Sequence, residues 1–260
     1  MHNRVELLGY YGSDLTHAQS AWTSTSRDLT PEKMDRIPKL LNMLASEGHE
    51  TPFEKSSFHF LVTVDQATHI HLLKHRIGVS INGESARYKE LKEDKFYIPF
   101  DWSEDWKGRL ETYTSMGNAL YHQALEDLTP VMGRKRAKES ARYFKTFNSQ
   151  IDMDVMFNFR SFVHFLRLRN SEHAQVEVRE LSQQMLDLVK KGDYRFLYTL
   201  LSQRRSSVNI SHKKMPTYAE HIRFVKSKPY SKWYIIMVGT RKVGTIYLTK
   251  QNEIGIFVKK

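Results

Sequence analysis

A chain of 260 residues with 40% hydrophobic content can bury a sizeable core, either as one large domain or as a domain with an appendage. The absence of cysteine removes disulfides, thiolate metal sites and cysteine nucleophiles, and no apolar run reaches the ~18 residues of a membrane span. The formal charge of +11 suggests nucleic acid until it is located: residues 205–260 hold twelve Lys/Arg against two acids, a net +10, which leaves +1 for residues 1–204.

The first residues, Met1-His2-Asn3-Arg4-Val5-Glu6, lack the apolar stretch of a secretory signal, so a cytoplasmic protein is expected. Val5–Tyr10 reads as a strand, Gly12-Ser13-Asp14 as a turn, and Leu15–Trp22 as a short helix. Thr30-Pro31 supplies a hydroxyl cap and a proline at the first helical position; Pro38 should kink or restart that helix, which runs to a stop at Gly48. Gly48-His49-Glu50-Thr51-Pro52-Phe53-Glu54 reads by itself as a turn. Phe58, Phe60, Val62 and Val64 then alternate with Ser57, His59, Leu61 and Thr63, a strand with one apolar face. Asp65 can cap the next helix, on which His71 fits an amphipathic surface.

Three bases, Lys74-His75-Arg76, follow the apolar Ile70-His71-Leu72-Leu73, and the run to Arg87-Tyr88 is rich in glycine, hydroxyl and amide residues. Gly78 and Gly83 permit conformations that other residues resist, and Ser80, Asn82 and Ser85 favour turns, so this stretch reads as an anion-cradling loop; the alternative is a solvated basic loop.

Beyond Tyr97-Ile98-Pro99, Ser103 begins a long helix with Trp106, Leu110, Tyr113, Leu120, Ala124 and Leu128 on its apolar stripe. Thr129-Pro130 starts another, carrying Arg134, Lys135, Arg136, Lys138, Arg142 and Lys145, a charge run of the kind usually solvated. Asn158, Phe162, Phe165 and Arg169 recur at i, i+4, i+7 and i+11 on a further helix. An arginine on an aromatic stripe needs a partner, because an unpaired buried cation costs several kcal/mol; otherwise it snorkels at the helix end. His173-Ala174-Gln175 opens a helix with Val178, Leu181, Met185 and Leu188 inward, ended by Gly192.

In the tail, Tyr218–Phe224 has helical spacing, and Trp233–Val238, Val243–Leu248 and Ile254–Val258 form strand-like runs, which argues for a three-stranded meander. Its bases alternate with Tyr218, Phe224, Tyr230, Trp233 and Tyr234, a pattern that single-strand nucleic-acid binders use. A basic nucleic-acid-binding module acting through this tail is therefore the alternative function. There is no Walker loop, zinc pattern or convincing Gly-x-Gly-x-x-Gly, and no metal is expected.

His75, Arg76, Ser80, Asn82, Ser85 and Arg87 resemble the signature of the flavin-dependent thymidylate synthases, Arg-His-Arg, a spacer, then Ser-x-Asn-x-x-Ser-x-Arg. Lys74 stands for the first arginine, the spacer from Arg76 to Ser85 is one residue longer, and Gly83 fills the acidic slot with Glu84 beside it. A second block, Asn158–Gln175, is in register, and the resemblance spans roughly residues 5–200. It implies an α+β fold, an antiparallel sheet flanked by long helices over residues 1–204, with 205–260 a small basic β-meander appendage. It also implies reductive methylation of dUMP to dTMP, with FAD as cofactor and NADPH and methylenetetrahydrofolate as co-substrates. The cysteine-based route to the same product is closed to this chain.

By the same resemblance, Thr51, Lys74, His75, Arg76, Asn158, Arg160 and His164 would hold FAD, His164 standing where the family has asparagine. His71, at a position commonly glutamine, would meet the nucleotide together with Glu84, Ser85, Arg87, Arg142 and Arg169, and Arg169 and Ser85 would be catalytic. Family members are homotetramers with shared sites, and no membrane partner is implied. The three tail strands resemble the first half of a GNAT acetyltransferase and stop before the Gly-rich turn that would bind the acetyl-CoA pyrophosphate, so contacts rather than catalysis are expected of them.

Overall fold

The computed structural model describes residues 2–203, 215–227, 229–238 and 241–259. Among the described residues seven strands and seven α-helices form two compact units, one of Met1–Tyr11 with Glu50–Met185 and the other of Gly12–His49 with Leu186–Lys260. The α+β architecture, antiparallel throughout, is the expected one.

The first unit is built on β1 (Arg4–Tyr11), β2 (Ser57–Asp65), β3 (Val79–Gly83) and β4 (Gln150–Asn158), in the order β1-β2-β4-β3. Strand β2 buries Phe60, Val62 and Val64, and β4 buries Ile151, Met153, Val155 and Phe157, the inward half of each alternation. Helix α5 (Phe159–Arg169) lays Phe162 and Phe165 on that face, with ring centroids 5.6 Å from Phe60 and 5.1 Å from Phe157 respectively. Each fully buried ring contributes roughly 1.5–3 kcal/mol, enough to fix the register of the stripe that ends in Arg169. Helix α3 (Gln66–Leu73) starts at Asp65, whose carboxylate accepts from Thr68 N (2.9 Å), Thr68 Oγ1 (2.7 Å) and Asn3 Nδ2 (2.7 Å).

Three sequence expectations change in this unit. The stretch read as a ligand-wrapping loop contains β3, an edge strand paired with β4 from Val79↔Phe157 to Gly83↔Met153, because Val79 and Ile81 alternate strongly enough to pair despite their neighbours. Helix α4 (Glu104–Ala141) does not restart at Thr129-Pro130; it passes Pro130 and breaks at Gly133, at φ 78° and ψ 149°, a backbone open only to glycine. Tyr121 and Leu125 pack on Ala137 and Ala141. In an unbroken helix Tyr121 and Ala137 would lie roughly 24 Å apart, so the chain doubles back at Gly133. Its inward face is Thr114, Asn118, Tyr121 and Leu125, while Trp106, Tyr113 and Leu120 of the expected apolar stripe are exposed together with Met116.

In the second unit α1 (Asp14–Trp22) packs on α2 (Pro31–Ser46). Thr30 caps α2 and Gly48, at φ 70°, follows its end, but Pro38 lies within the helix without ending it. Helix α6 (Val176–Ser202), which starts in the first unit and enters the second at Leu186, likewise runs through Gly192 rather than stopping there. A glycine costs a helix only about 1 kcal/mol, which the buried Leu197 and Leu200 beyond it offset. Helix α7 (Tyr218–Lys226) precedes the meander β5 (Lys232–Val238), β6 (Arg241–Leu248) and β7 (Ile254–Val258), as expected. Tyr230 stacks on Tyr247 at 4.1 Å, and Phe224 and Trp233 pack edge-on to Tyr230. Part of the β5–β6 turn lies outside the described residues.

Candidate functional site

The three bases leave the C-terminus of α3, and the chain then turns at Gly78, φ 65°, into β3. That turn is sewn to the start of α5. Gly78 O accepts from Asn158 N (2.9 Å), Ile77 O accepts from Ser161 Oγ (2.6 Å), and Asn158 Oδ1 caps α5 by accepting from Ser161 N (2.8 Å). A Cβ at Gly78 would overlap Asn158 Nδ2 and Ser161 Oγ. A cleft of about 530 Å³ opens here, lined by Gly78, Ser80, Asn158, Ser57 and Tyr11 among others. Lys74 and Arg76 are exposed and form no ion pair among the described residues.

Beside this turn His75 and Arg169 meet. Arg169 Nε donates to His75 Nε2 at 3.0 Å, so the ring must be neutral with its proton on Nδ1. Burial, followed by the neighbouring Arg169, His164 and His71, pushes the His75 pKa down to about 4. Phe165 packs edge-on against the His75 ring at 5.0 Å, and His164, exposed, lies 6.4 Å away. His71 is tied to Gln175 at 3.0 Å. The partner demanded by an arginine at the end of an aromatic stripe is thus, in this chain, a neutral imidazole.

Thr51 opens a short 3-10 turn, Thr51–Lys55, and is exposed. Arg160 reaches back to that turn, pairing with Glu50 Oε2 at 2.7 Å and Glu54 Oε1 at 2.6 Å. Both pairs are half-exposed, so they add little to stability, and their effect is to hold Thr51 near the start of α5. The two glutamates had no periodicity to mark them as partners of Arg160.

A second group sits at the other end of β3, whose five residues span roughly 15 Å. Ser85 Oγ accepts from Arg87 N (3.3 Å), and Arg87 Nε donates to Glu139 Oε1 (2.9 Å). Glu84 pairs with Lys89 (2.6 Å) and accepts from Asp152 N (3.3 Å). Arg142 ends α4, exposed and with no hydrogen bond to any other candidate residue among those described. The structure therefore places Thr51, Asn158 and Arg160 at the start of α5, His75, His164 and Arg169 along its second half, and Glu84, Ser85 and Arg87 beside α4.

Residues 6–193 match the protein family described as thymidylate synthase complementing protein. The chain belongs to that family. It is 32% identical over 183 residues to the flavin-dependent thymidylate synthase of Pseudothermotoga lettingae, covering 68% of this chain and 80% of that protein. A protein of the same name from Clostridium tetani is 32% identical over 180 residues, covering 64% and 70%. Among solved structures, the UMP/dUMP methylase PolB from Streptomyces cacaoi, bound with 5-Br dUMP, superimposes with a TM-score of 0.60 at 26% identity, covering 73% of this chain and 90% of that one. The thymidylate synthase complementing match includes both groups of candidate residues and ends before α7 and the meander.

Proposed function

We infer that this protein is a flavin-dependent thymidylate synthase, which methylates dUMP reductively to dTMP with methylenetetrahydrofolate as the one-carbon donor. The reading is carried by the Arg169–His75 pair beside the Gly78–Asn158 suture, in a chain of this family. FAD fits the residues present: exposed Lys74 and Arg76 offer cations to its phosphates, and Gly78 lets backbone approach where a side chain would intrude. When bound and reduced by NADPH, FAD supplies hydride.

The chain's own groups then have separable tasks. Thr51, His75, Asn158, Arg160 and His164 bound the flavin edge. Ser85 and Arg87, with Arg142, hold the nucleotide phosphate and sugar, Glu84 steadies that loop, and His71 faces the base. Arg169 stabilises negative charge on the uracil, with its guanidinium aimed by an imidazole that carries no competing charge. The two candidate groups lie at opposite ends of β3, and Trp106, Tyr113, Met116 and Leu120 form an exposed apolar stripe on α4. Both observations support a homotetramer with sites completed by neighbouring subunits.

Residues 205–260 we propose as an appendage to a 1–204 catalytic domain, GNAT-like in its strands and used for contacts. A nucleic-acid role is disfavoured, because Tyr218, Phe224, Tyr230 and Trp233 pack against other aromatic rings, leaving Tyr234 as the exposed one of those five.

The test is release of tritium from C5-labelled dUMP by the purified protein with FAD, NADPH and methylenetetrahydrofolate. A yellow protein with flavin absorbance and release is expected; a colourless protein that releases no tritium after FAD is added would sink the reading. Lys74→Arg should retain flavin as well or better, since guanidinium grips phosphate with two donors. Flavin loss on this change, read from the absorbance of the gel-filtered protein, would show that the base points elsewhere.

A further inference from the structure

The segment from Glu84 to Lys95, which carries Ser85 and Arg87, forms no helix or strand, yet it is held along its length by α4 and by the 3-10 turn Arg142–Phe144 that follows. Lys138 Nζ donates to Tyr88 O (2.9 Å), Arg134 pairs with Glu90 (2.7 Å), and Leu91 N donates to the Tyr121 hydroxyl (3.1 Å). At the far end Asp94, in a left-handed conformation at φ 47°, accepts from His122 Nε2 (2.9 Å) and Lys145 Nζ (2.5 Å). Lys145 differs from the other cations of the segment in burial. The Lys145 side chain is only 7% exposed, its ammonium also donates to Asn118 Oδ1 (2.8 Å), and it lies 4.5 Å from the centre of the Tyr121 ring. Burial alone would raise the Asp94 pKa, but the hydrogen bonds from Lys145 and His122 outweigh it and hold the carboxyl below the usual range.

A buried ammonium with three good partners is costly to place and costly to orphan, so it is a poor device for stability and a good one for fixing a position. What it fixes is the spacing between two segments. Lys145 N bonds Arg142 O (3.1 Å), so Lys145 belongs to the turn that presents Arg142, whereas Asp94 belongs to the loop that presents Arg87.

We propose that Lys145 and Asp94, with His122, are positioning residues that lock the Arg87 loop to the Arg142 turn and so set the separation of the two guanidinium groups that receive the nucleotide phosphate. The proposal rests on the functional reading given for Arg87 and Arg142. None of the three latch residues is assigned contact with substrate or cofactor. Their effect should therefore fall on nucleotide binding and loop order, leaving flavin binding and the turnover of bound substrate alone.

The experiment compares wild-type holoenzyme with Lys145→Met, which keeps the unbranched stem of the side chain without the ammonium, and Asp94→Asn, which keeps its shape. In Lys145→Met the KM for dUMP should rise about tenfold or more with kcat within about twofold, the pattern of lost binding rather than lost transition-state contact. Flavin absorbance should be unchanged. Limited trypsin digestion should cut faster after the loop lysines Lys89 and Lys92 than in wild type, and saturating dUMP should slow the cutting. Asp94→Asn should give the same pattern more weakly, and it decides the matter if Lys145→Met does not fold. Wild-type KM with wild-type loop cutting in the folded variants would overturn the latch, as would a fall in kcat at unchanged KM. If the wild-type enzyme does not bind dUMP at all, the functional reading fails, while the trypsin result still shows whether the latch orders the loop.

Discussion

Arg169→Ala is expected to lower kcat/KM for dUMP methylation by about 10²–10³-fold, the usual effect of removing one charge-stabilising donor from an active site. The flavin should stay bound, because the Gly78–Asn158 suture and the packing of Phe162 and Phe165 do not involve the guanidinium. Lys107→Ala, which removes a cation paired with Glu104 one turn away, is the control and should leave the rate unchanged. A folded, flavin-bound Arg169→Ala enzyme with near wild-type rates would remove Arg169 from the chemistry. The same pair has a pH signature. His75 titrates below its unfolded value, so the stability it lends is complete above about pH 6.5 and is lost as pH falls through about 4. Protonation also takes the Nε2 lone pair and sets two cations face to face, so the aim of Arg169 should fail at the lower end of that window, near pH 4.

Gly78→Ala should be the most damaging single methyl in the first unit. An L residue at φ 65° costs about 1–2 kcal/mol by itself, and here the added carbon would also overlap Asn158 Nδ2 and Ser161 Oγ, displacing the cap of α5. A loss of roughly 3 kcal/mol and of flavin retention is expected, read as the denaturant midpoint and the absorbance of the gel-filtered protein. Gly48→Ala separates the two causes: its φ of 70° is similar, but no atom lies within 4 Å of the added carbon. Equal destabilisation by both changes would mean that the overlap with Asn158 does not matter.

The two predictions rest on features of unequal legibility. The apolar alternation of β2, the Asp65 cap and the aromatic stripe of α5 could be read because each is periodic and local, and the tail meander because its strands are separated by clear turn residues. Edge strand β3 was hidden by glycine, asparagine and serine, residues that favour turns until a partner strand such as β4 supplies hydrogen bonds. The reversal in α4 was hidden because proline draws the eye to 130, whereas only the glycine three residues later can adopt the backbone required. The inward face of that helix could not be chosen by period either, since Trp106, Tyr113 and Leu120 mark one apolar stripe and Tyr121 and Leu125 another. Of the site, the residues themselves could be read from the two family blocks. The partners that position them, Glu50 and Glu54 for Arg160, Glu139 for Arg87 and Asp94 for Lys145, are distant in sequence and carry no spacing signal.

The strand order β1-β2-β4-β3 carries a consequence for how the molecule comes into being. A growing chain leaves the ribosome with β3 and its three bases already made, yet β4, the strand that pairs with β3 among the described residues, follows after the whole of Glu84–Ser149. The doubled-back α4 lies in that interval, and its contacts are close in sequence, so it can form first. β4 then enters between β2 and β3, bringing Asn158 to Gly78 as its last residue, and the cleft beside Gly78 forms in the same step as the sheet. Until that moment β2 and β3 each present an unpaired edge, which leaves the nascent protein open to strand pairing with other chains.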